Sequence, residues 1–171
     1  MQARRRHGSA KSLVGFAVGD VHYALHVACV IEITNPMALA PLPCAPHSVM
    51  GVSDYRGEVV PVVDLRARFG LAPVAATRKT KWIVVDVAGR AVALVVDAVT
   101  EVFGTGGADL RPLPSLGGDE ARGIAGVTRH AGRMVFVLDV EPLRELTDPL
   151  ACVGQIGPGA GLPLLPWQAP A

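Results

Sequence analysis

The sequence predicts an all-β protein of two small five-stranded barrels packed side by side, and three observations carry that reading. The first is composition: 50% of the 171 residues are hydrophobic but only 5% are aromatic, and a core rich in β-branched residues and poor in rings suits pleated sheet. The second is punctuation. Short apolar runs are divided by Gly19-Asp20, Arg56-Gly57 and Ala88-Gly89, turn dipeptides of the kind that close hairpins. The third is duplication. Ala24-Leu25, Val27, Val30 and Glu32 return 69 residues later as Ala93-Leu94, Val96, Val99 and Glu101. Leu42-Pro43 returns 71 later as Leu113-Pro114, and Gly51-Val52 returns 75 later as Gly126-Val127. Residues 57–65 (GEVVPVVDL) are echoed, again at 75, by 132–140 (GRMVFVLDV). The offset grows only across loops, where insertions are tolerated, as expected of a duplicated fold. About five short strands per copy favour a closed barrel over an open sheet, because closure removes exposed edges.

The elements follow in order. Residues 1–11 (MQARRRHGSAK) form a polar, basic arm expected to be disordered. Residues 13–18 and 21–25 make a strand pair around Gly19-Asp20. Residues 27–33 (VACVIEI) are a short helical turn or a strand, ended by Asn35-Pro36 because the residue before proline is driven from helical geometry. A second hairpin turns at Arg56-Gly57 and returns through 58–63 (EVVPVV). Asp64 then caps a short helix over 65–69, which Gly70 closes. After a polar linker, 73–81, the pattern restarts at Trp82 and turns at Ala88-Gly89. Residues 153–171 (VGQIGPGAGLPLLPWQAPA) are too rich in Gly and Pro to complete another strand. They are either a dispensable end or, through 162–167 (LPLLPW), an extended docking peptide.

Several function classes fall away. The net charge is +1, from 16 basic and 15 acidic residues, without the basic excess by which nucleic-acid binders displace counterions. Trp82 and Tyr55 are too isolated for a base-stacking platform. Cys29, Cys44 and Cys152 form no C-x-x-C, which argues for a reducing compartment and no zinc site. No stretch approaches the roughly 20 apolar residues that span a bilayer, so a cytoplasmic protein without membrane insertion is expected. Asp64 and Asp139 invite a catalytic-dyad reading, but each sits where it caps the helical turn that follows. His22 and His26 are four apart on a strand end, which splays their side chains, and no Cys or carboxylate completes a metal set. Gly104-Thr105-Gly106-Gly107 lacks the lysine of a phosphate loop. A non-enzymatic chain without cofactor or metal is expected.

Two residues stand out instead. Glu32 interrupts an apolar segment of Val30, Ile31 and Ile33, and Arg56 occupies a hairpin tip. Each is commonly only a solvated charge. An apolar strip bearing one acid, beside a hairpin bearing one arginine, would also make a protein-docking surface.

These residues together resemble the CheW-like domain family of bacterial chemotaxis-type coupling proteins. The likeness runs through Phe16, Gly19-Asp20, Tyr23-Ala24-Leu25 and 30–33 (VIEI), then Pro43, Pro46 and the specific run 51–66 (GVSDYRGEVVPVVDLR). It continues through Phe69-Gly70, Gly89-Arg90, Val96-Asp97, Val99, Val102, Pro112, Pro114 and Gly126-Val127, and covers about residues 12–148. Where the family commonly has asparagine-leucine before arginine-glycine, this chain has Asp54-Tyr55.

The resemblance implies two intertwined SH3-like barrels with short helical turns. The domain is drawn at 12–148, with barrel one mainly in 20–70, barrel two mainly in 82–140, strand exchange at their edges, and a tail from 149 to 171. It implies an adaptor linking the cytoplasmic tip of methyl-accepting chemoreceptors to the regulatory domain of a CheA-type histidine kinase, at receptor arrays on the inner face of the membrane. Val30, Glu32, Gly51 and Arg56 fall at the family's partner-binding positions. Two alternatives stay open: an adaptor of a non-flagellar pathway (gliding, pilus motility or development), and a small-molecule-sensing barrel, which would need a polar cluster in a pocket.

Overall fold

The structure is a computed structural model, and it describes residues 12–43, 45–105, 110–113 and 123–146. The expected basic arm, the Gly/Pro-rich tail with Trp167, Cys44 and Cys152 lie outside the described residues.

Among the described residues ten strands follow in order: β1 (Ser12–Val18), β2 (Val21–His26), β3 (Val30–Thr34), β4 (Val49–Tyr55), β5 (Glu58–Asp64), β6 (Lys81–Val87), β7 (Arg90–Val96), β8 (Ala98–Gly104), β9 (Ile124–His130) and β10 (Arg133–Leu138). The stretch 27–33 is both things the sequence allowed: a 3₁₀ turn, Val27–Cys29, and then β3. A one-turn helix, α1 (Leu65–Arg68), follows β5, and a 3₁₀ segment, Glu141–Leu146, follows β10. Both capping expectations hold. Asp64 Oδ1 accepts from Arg66 N at 2.8 Å, and Asp139 Oδ1 accepts from Glu141 N at 3.0 Å.

The strands form two five-stranded sheets, ordered β8-β1-β2-β10-β9 and β3-β6-β7-β5-β4. Adding five to the strand number carries each first-half strand onto its second-half counterpart and one sheet onto the other, so the duplication is a pseudo-two-fold axis. Within each sheet one pair is parallel, β2 with β10 and β5 with β7; the rest are antiparallel.

Each sheet draws three strands from one half of the chain and two from the other. The span 20–70 places β2 in one sheet and β3, β4 and β5 in the other, while 82–140 splits β6 and β7 from β8, β9 and β10. Exchange is not confined to the edges: a whole hairpin is traded each way and sits inside the other copy's sheet. A repeat shows that two segments fold alike. It does not show whose hairpin completes whose sheet, since identical elements can be exchanged at low cost.

Three apolar cores result. The largest lies between the sheets and holds Phe16, Tyr23 and Leu25 from one, Val63, Ile83 and Leu94 from the other, with Leu65 and Phe69. Tyr23 stacks on Phe69 with ring centroids 4.7 Å apart. Each sheet also curls around a small core of its own. Trp82, Val60, Val62 and Val84 fill one, and Leu13, Phe103, Val135 and Val137 fill the other.

Candidate functional site

The site begins at a turn. Arg56 has φ 54° and Gly57 φ 83°, the two left-handed residues of a type I′ hairpin, whose twist matches the flanking strands. Asp54 holds this geometry by accepting from Gly57 N at 2.7 Å. That is a job for any side-chain oxygen at this point of a turn, and here aspartate supplies it. Arg56 is thereby projected from the β4–β5 tip, with its side chain 71% exposed.

Glu32 lies across from it on β3, the far edge of the same sheet. Its Oε2 accepts from Arg56 Nη2 at 2.7 Å and from Tyr55 Oη at 2.6 Å. The guanidinium also sits 5.2 Å from the centroid of the Tyr55 ring, within cation–π range. One carboxylate thus ties edge strand β3 to edge strand β4 and closes the barrel. Donation to Glu32, first among the causes, pushes the Tyr55 hydroxyl above its ordinary range, because the bond stabilises the protonated phenol.

The four residues singled out by sequence are placed differently. Glu32 and Arg56 are brought together. Val30 does not extend the exposed strip, since it is partly buried and packs on the central core; the outward side chains are Ile31 and Ile33. Gly51 is buried and serves the backbone. Its φ is 151°, and a Cβ there would lie 2.2 Å from Ala40 O, because Ala40 and Val52 exchange two backbone hydrogen bonds of 2.8 Å beside it. Gly51 offers no side chain to a partner but fixes the segment next to β4.

Sequence reasoning missed Tyr55, whose duplicated counterpart is His130 facing Glu101, the counterpart of Glu32. His130 Nε2 lies 3.2 Å from Glu101 Oε2, and its ring stacks on Phe103 at 3.9 Å. The duplication, followed one residue further, would have pointed to it. Asp97 was also missed. It accepts from Arg66 Nη2 and from Gly19 N, each at 2.7 Å, and so joins α1, beside one sheet, to the β1–β2 turn of the other. Burial would raise its carboxyl, but the bonds from Arg66 and Gly19 outweigh burial and hold it below the usual carboxylate range.

A cavity of about 470 Å³ opens between the sheets against His26, Cys29, Asp86, Asp139 and Val140. Three of the polar side chains there are committed to the fold. Asp86 accepts from Gly89 N, Asp139 from Glu141 N, and the Cys29 thiol donates to His26 O. Burial pushes that thiol up, away from the thiolate a nucleophile needs. Among the described residues no three His, Cys, Asp or Glu side chains are grouped to hold a metal ion, and no helix is long and apolar enough to cross a membrane.

The sequence and the fold resemble those of known proteins. A family model described as the CheW-like domain matches residues 12–147. The chemotaxis protein CheW of Rhizobium meliloti is 34% identical over 140 residues, covering 81% of this chain and 90% of that protein. Protein FrzA of Myxococcus xanthus is 36% identical over 119 residues, covering 68% and 73%. The crystal structure of scaffolding protein TtCheW from Thermoanaerobacter tengcongensis superposes with a TM-score of 0.72 at 26% identity, covering 77% of this chain and 90% of that one. Duplication, exchanged hairpins and matched relatives agree, and the chain belongs to the CheW-like domain family.

Proposed function

We propose that this protein is a non-enzymatic adaptor of chemotaxis-type signalling that couples chemoreceptors to a CheA-type histidine kinase. The observation that carries the reading is the seam of Glu32, Tyr55 and Arg56. It is a charge pair held at a barrel edge beside exposed Ile31 and Ile33 on β3, with exposed Val59 on the hairpin that bears Arg56. Exposed apolar side chains around a few oriented charges are what a protein-docking surface needs. The second barrel repeats the pattern, with Val102 exposed at the counterpart of Ile33 and Met134 at that of Val59. Two like faces on one rigid body suit a molecule that holds two partners at once. In this reading one face takes the kinase regulatory domain and the other the cytoplasmic receptor tip, at arrays on the inner face of the membrane and with no cofactor. Glu32 and Arg56 contribute side chains, while Val30 and Gly51 set the strands that carry them.

The likeness to FrzA, a relative whose name is not that of a chemotaxis protein, favours one second reading: the same adaptor role in a non-flagellar chemosensory pathway. Co-sedimentation of the purified chain with a kinase regulatory domain and a receptor-tip fragment tests the adaptor role. A ternary complex is expected. Failure to bind either protein, or recovery of nucleic acid alone from lysate, overturns it.

A further inference from the structure

The duplication keeps the backbone of the two hairpin tips and reverses the charge beside them. Arg56-Gly57 at one tip and Ala131-Gly132 at the other share left-handed φ values, 54° and 83° against 48° and 76°. Asp54 and Glu58, which flank the first tip, return 75 residues later as Arg129 and Arg133, and all four are exposed. A further cation stands next to β9. Ala40 and Arg111 are counterparts, each exchanging two backbone hydrogen bonds with the strand beside it, Ala40 with Val52 and Arg111 with Val127. At these equivalent positions the first barrel has Glu32, Asp54 and Glu58 with Arg56. The second has Arg111, Arg129 and Arg133 with Glu101. Three acids and one base face three bases and one acid across the pseudo-two-fold.

The apolar positions have not changed with the charges. Residues directly opposite on paired strands share a face of the sheet. Asp54 is opposite Val59 and Arg129 is opposite Met134, and both Val59 and Met134 are exposed. Val102 is exposed on edge strand β8 as Ile33 is on β3. The first tip spends its charges locally: Asp54 accepts from Gly57 N, and Arg56 donates to Glu32. The second does not. Arg129 has no side-chain hydrogen bond or ion pair among the described residues, and Arg133 makes a contact of 3.5 Å with His22 Nε2. An exposed guanidinium beside an exposed apolar side chain can donate paired hydrogen bonds to a carboxylate while the apolar group is covered.

We infer, on the adaptor reading above, that the second barrel's face of Arg129, Arg133 and Met134 docks an acidic segment of one partner, and that the opposite sign of the first face keeps that partner from docking there. Complementary charge steers the correct encounter, and like charge set against like charge rejects the wrong surface. Two faces equal in backbone and opposite in charge thus prevent the two partners from exchanging places. A second copy of this chain is the poorer match. Its acidic tip carries the exposed Arg56 between Asp54 and Glu58, and would set a cation against Arg129 and Arg133.

The kinase regulatory domain and a receptor-tip fragment are titrated separately into the unsubstituted full chain and into one carrying Arg129→Glu and Arg133→Glu. One of the two proteins should bind the double variant at least about tenfold more weakly, the other within about twofold of the unsubstituted chain. Arg129→Gln removes a side chain that holds nothing in the fold, so it should weaken the same protein with the melting temperature unchanged, and it decides alone if the double variant does not fold. Affinity for that protein should also fall with added salt in the unsubstituted chain, and fall less in Arg129→Gln. Glu58→Lys, at the counterpart of Arg133, should leave that protein's affinity unchanged. Unchanged affinity for both proteins in the double variant overturns the inference and leaves the adaptor reading standing; no binding of either protein by the unsubstituted chain overturns both. Equal losses for the two proteins, or the same loss from Glu58→Lys, show that charge does not separate the faces and overturn it too. So does self-association of the unsubstituted chain that the double variant lacks, which marks a second copy as the occupant.

Discussion

Two seams close the two barrels, and they differ at two positions of the duplicated pattern, Tyr55 against His130 and Arg56 against Ala131. In one, Glu32 on β3 receives Tyr55 and Arg56 from the β4 end; in the other, Glu101 on β8 receives His130 from the β9 end. The acid and the geometry are kept while the donor has changed. The second seam has no arginine, since Ala131 follows His130 with φ 48° where Arg56 follows Tyr55 with φ 54°. A carboxylate facing an edge strand is thus the structural constant, satisfied by a phenol or by an imidazole. The exposed cation is the variable. A residue present in only one of two otherwise equivalent seams is not required for closure, and that frees Arg56 to act outward.

The largest expected effect breaks the frame that both seams share. A Cβ at Gly51 would meet Ala40 O at 2.2 Å and would also need φ 151°. Strain of that kind costs about 1–3 kcal/mol before the clash is counted. Gly51→Ala should lower the thermal midpoint by about 10 °C, on the usual scaling for a domain of this size. Gly126→Ala meets Arg111 O at 2.7 Å without a left-handed φ, and should fall by less. Equal losses in the two variants, measured by calorimetric melting, would show that the backbone conformation at Gly51 is not the reason.

Next comes Glu32→Lys, which removes the shared acceptor and sets two cations together at one edge. It should weaken one partner more than the other, by about 2–5 kcal/mol where the pair is buried on binding. Equal binding of both partners by the variant, in isothermal titration, counts against separate faces. A smaller effect concerns the contact of Asp97 with Arg66 and the β1–β2 turn. Asp97→Asn loses the ion pair to Arg66, a partly exposed interaction for which about 1–2 kcal/mol is expected, between surface and buried values. Because the Asp97 carboxyl is held below its usual range, its stabilisation is complete above the unfolded carboxylate value and is lost as pH falls through the lower folded one. The difference between the two proteins should therefore be largest near neutral pH and should shrink below about pH 4. A difference that grows on acidification would contradict the ion pair's role. Smallest is His130→Tyr, which gives the second seam the donor of the first. A change within about 1 kcal/mol is expected in thermal melting, and a larger loss would show that the two donors are not interchangeable.

Much of this was legible in the chain. The alternation around Gly19-Asp20 and Ala88-Gly89, and the echo of 57–65 in 132–140, gave the hairpins, the strand number and the duplication. Those signals are local, and local pairing follows from turn chemistry. The exchange of β1-β2 against β6-β7 was not legible, because swapped and unswapped barrels bury the same residues. The site was half legible. Glu32 and Arg56 were visible as charges in unusual company, but Val30 and Ile31 look alike in sequence and part only when the register turns one inward. Tyr55 and Asp97 escaped because their roles depend on partners 23 and 78 residues away, a separation at which no periodicity speaks.

The central claim is that the Arg56 end of the first seam is a docking edge and not a structural clasp. It is tested most directly by titrating the kinase regulatory domain and the receptor tip separately into the unsubstituted chain and into Arg56→Glu, with melting recorded on both. An exposed turn residue whose counterpart is alanine should leave the thermal midpoint nearly unchanged, as surface substitutions usually stay within about 0.5 kcal/mol. The account predicts that affinity for at least one partner falls tenfold or more, about 1.4 kcal/mol. Unchanged affinity for both, or a midpoint that collapses, would contradict it.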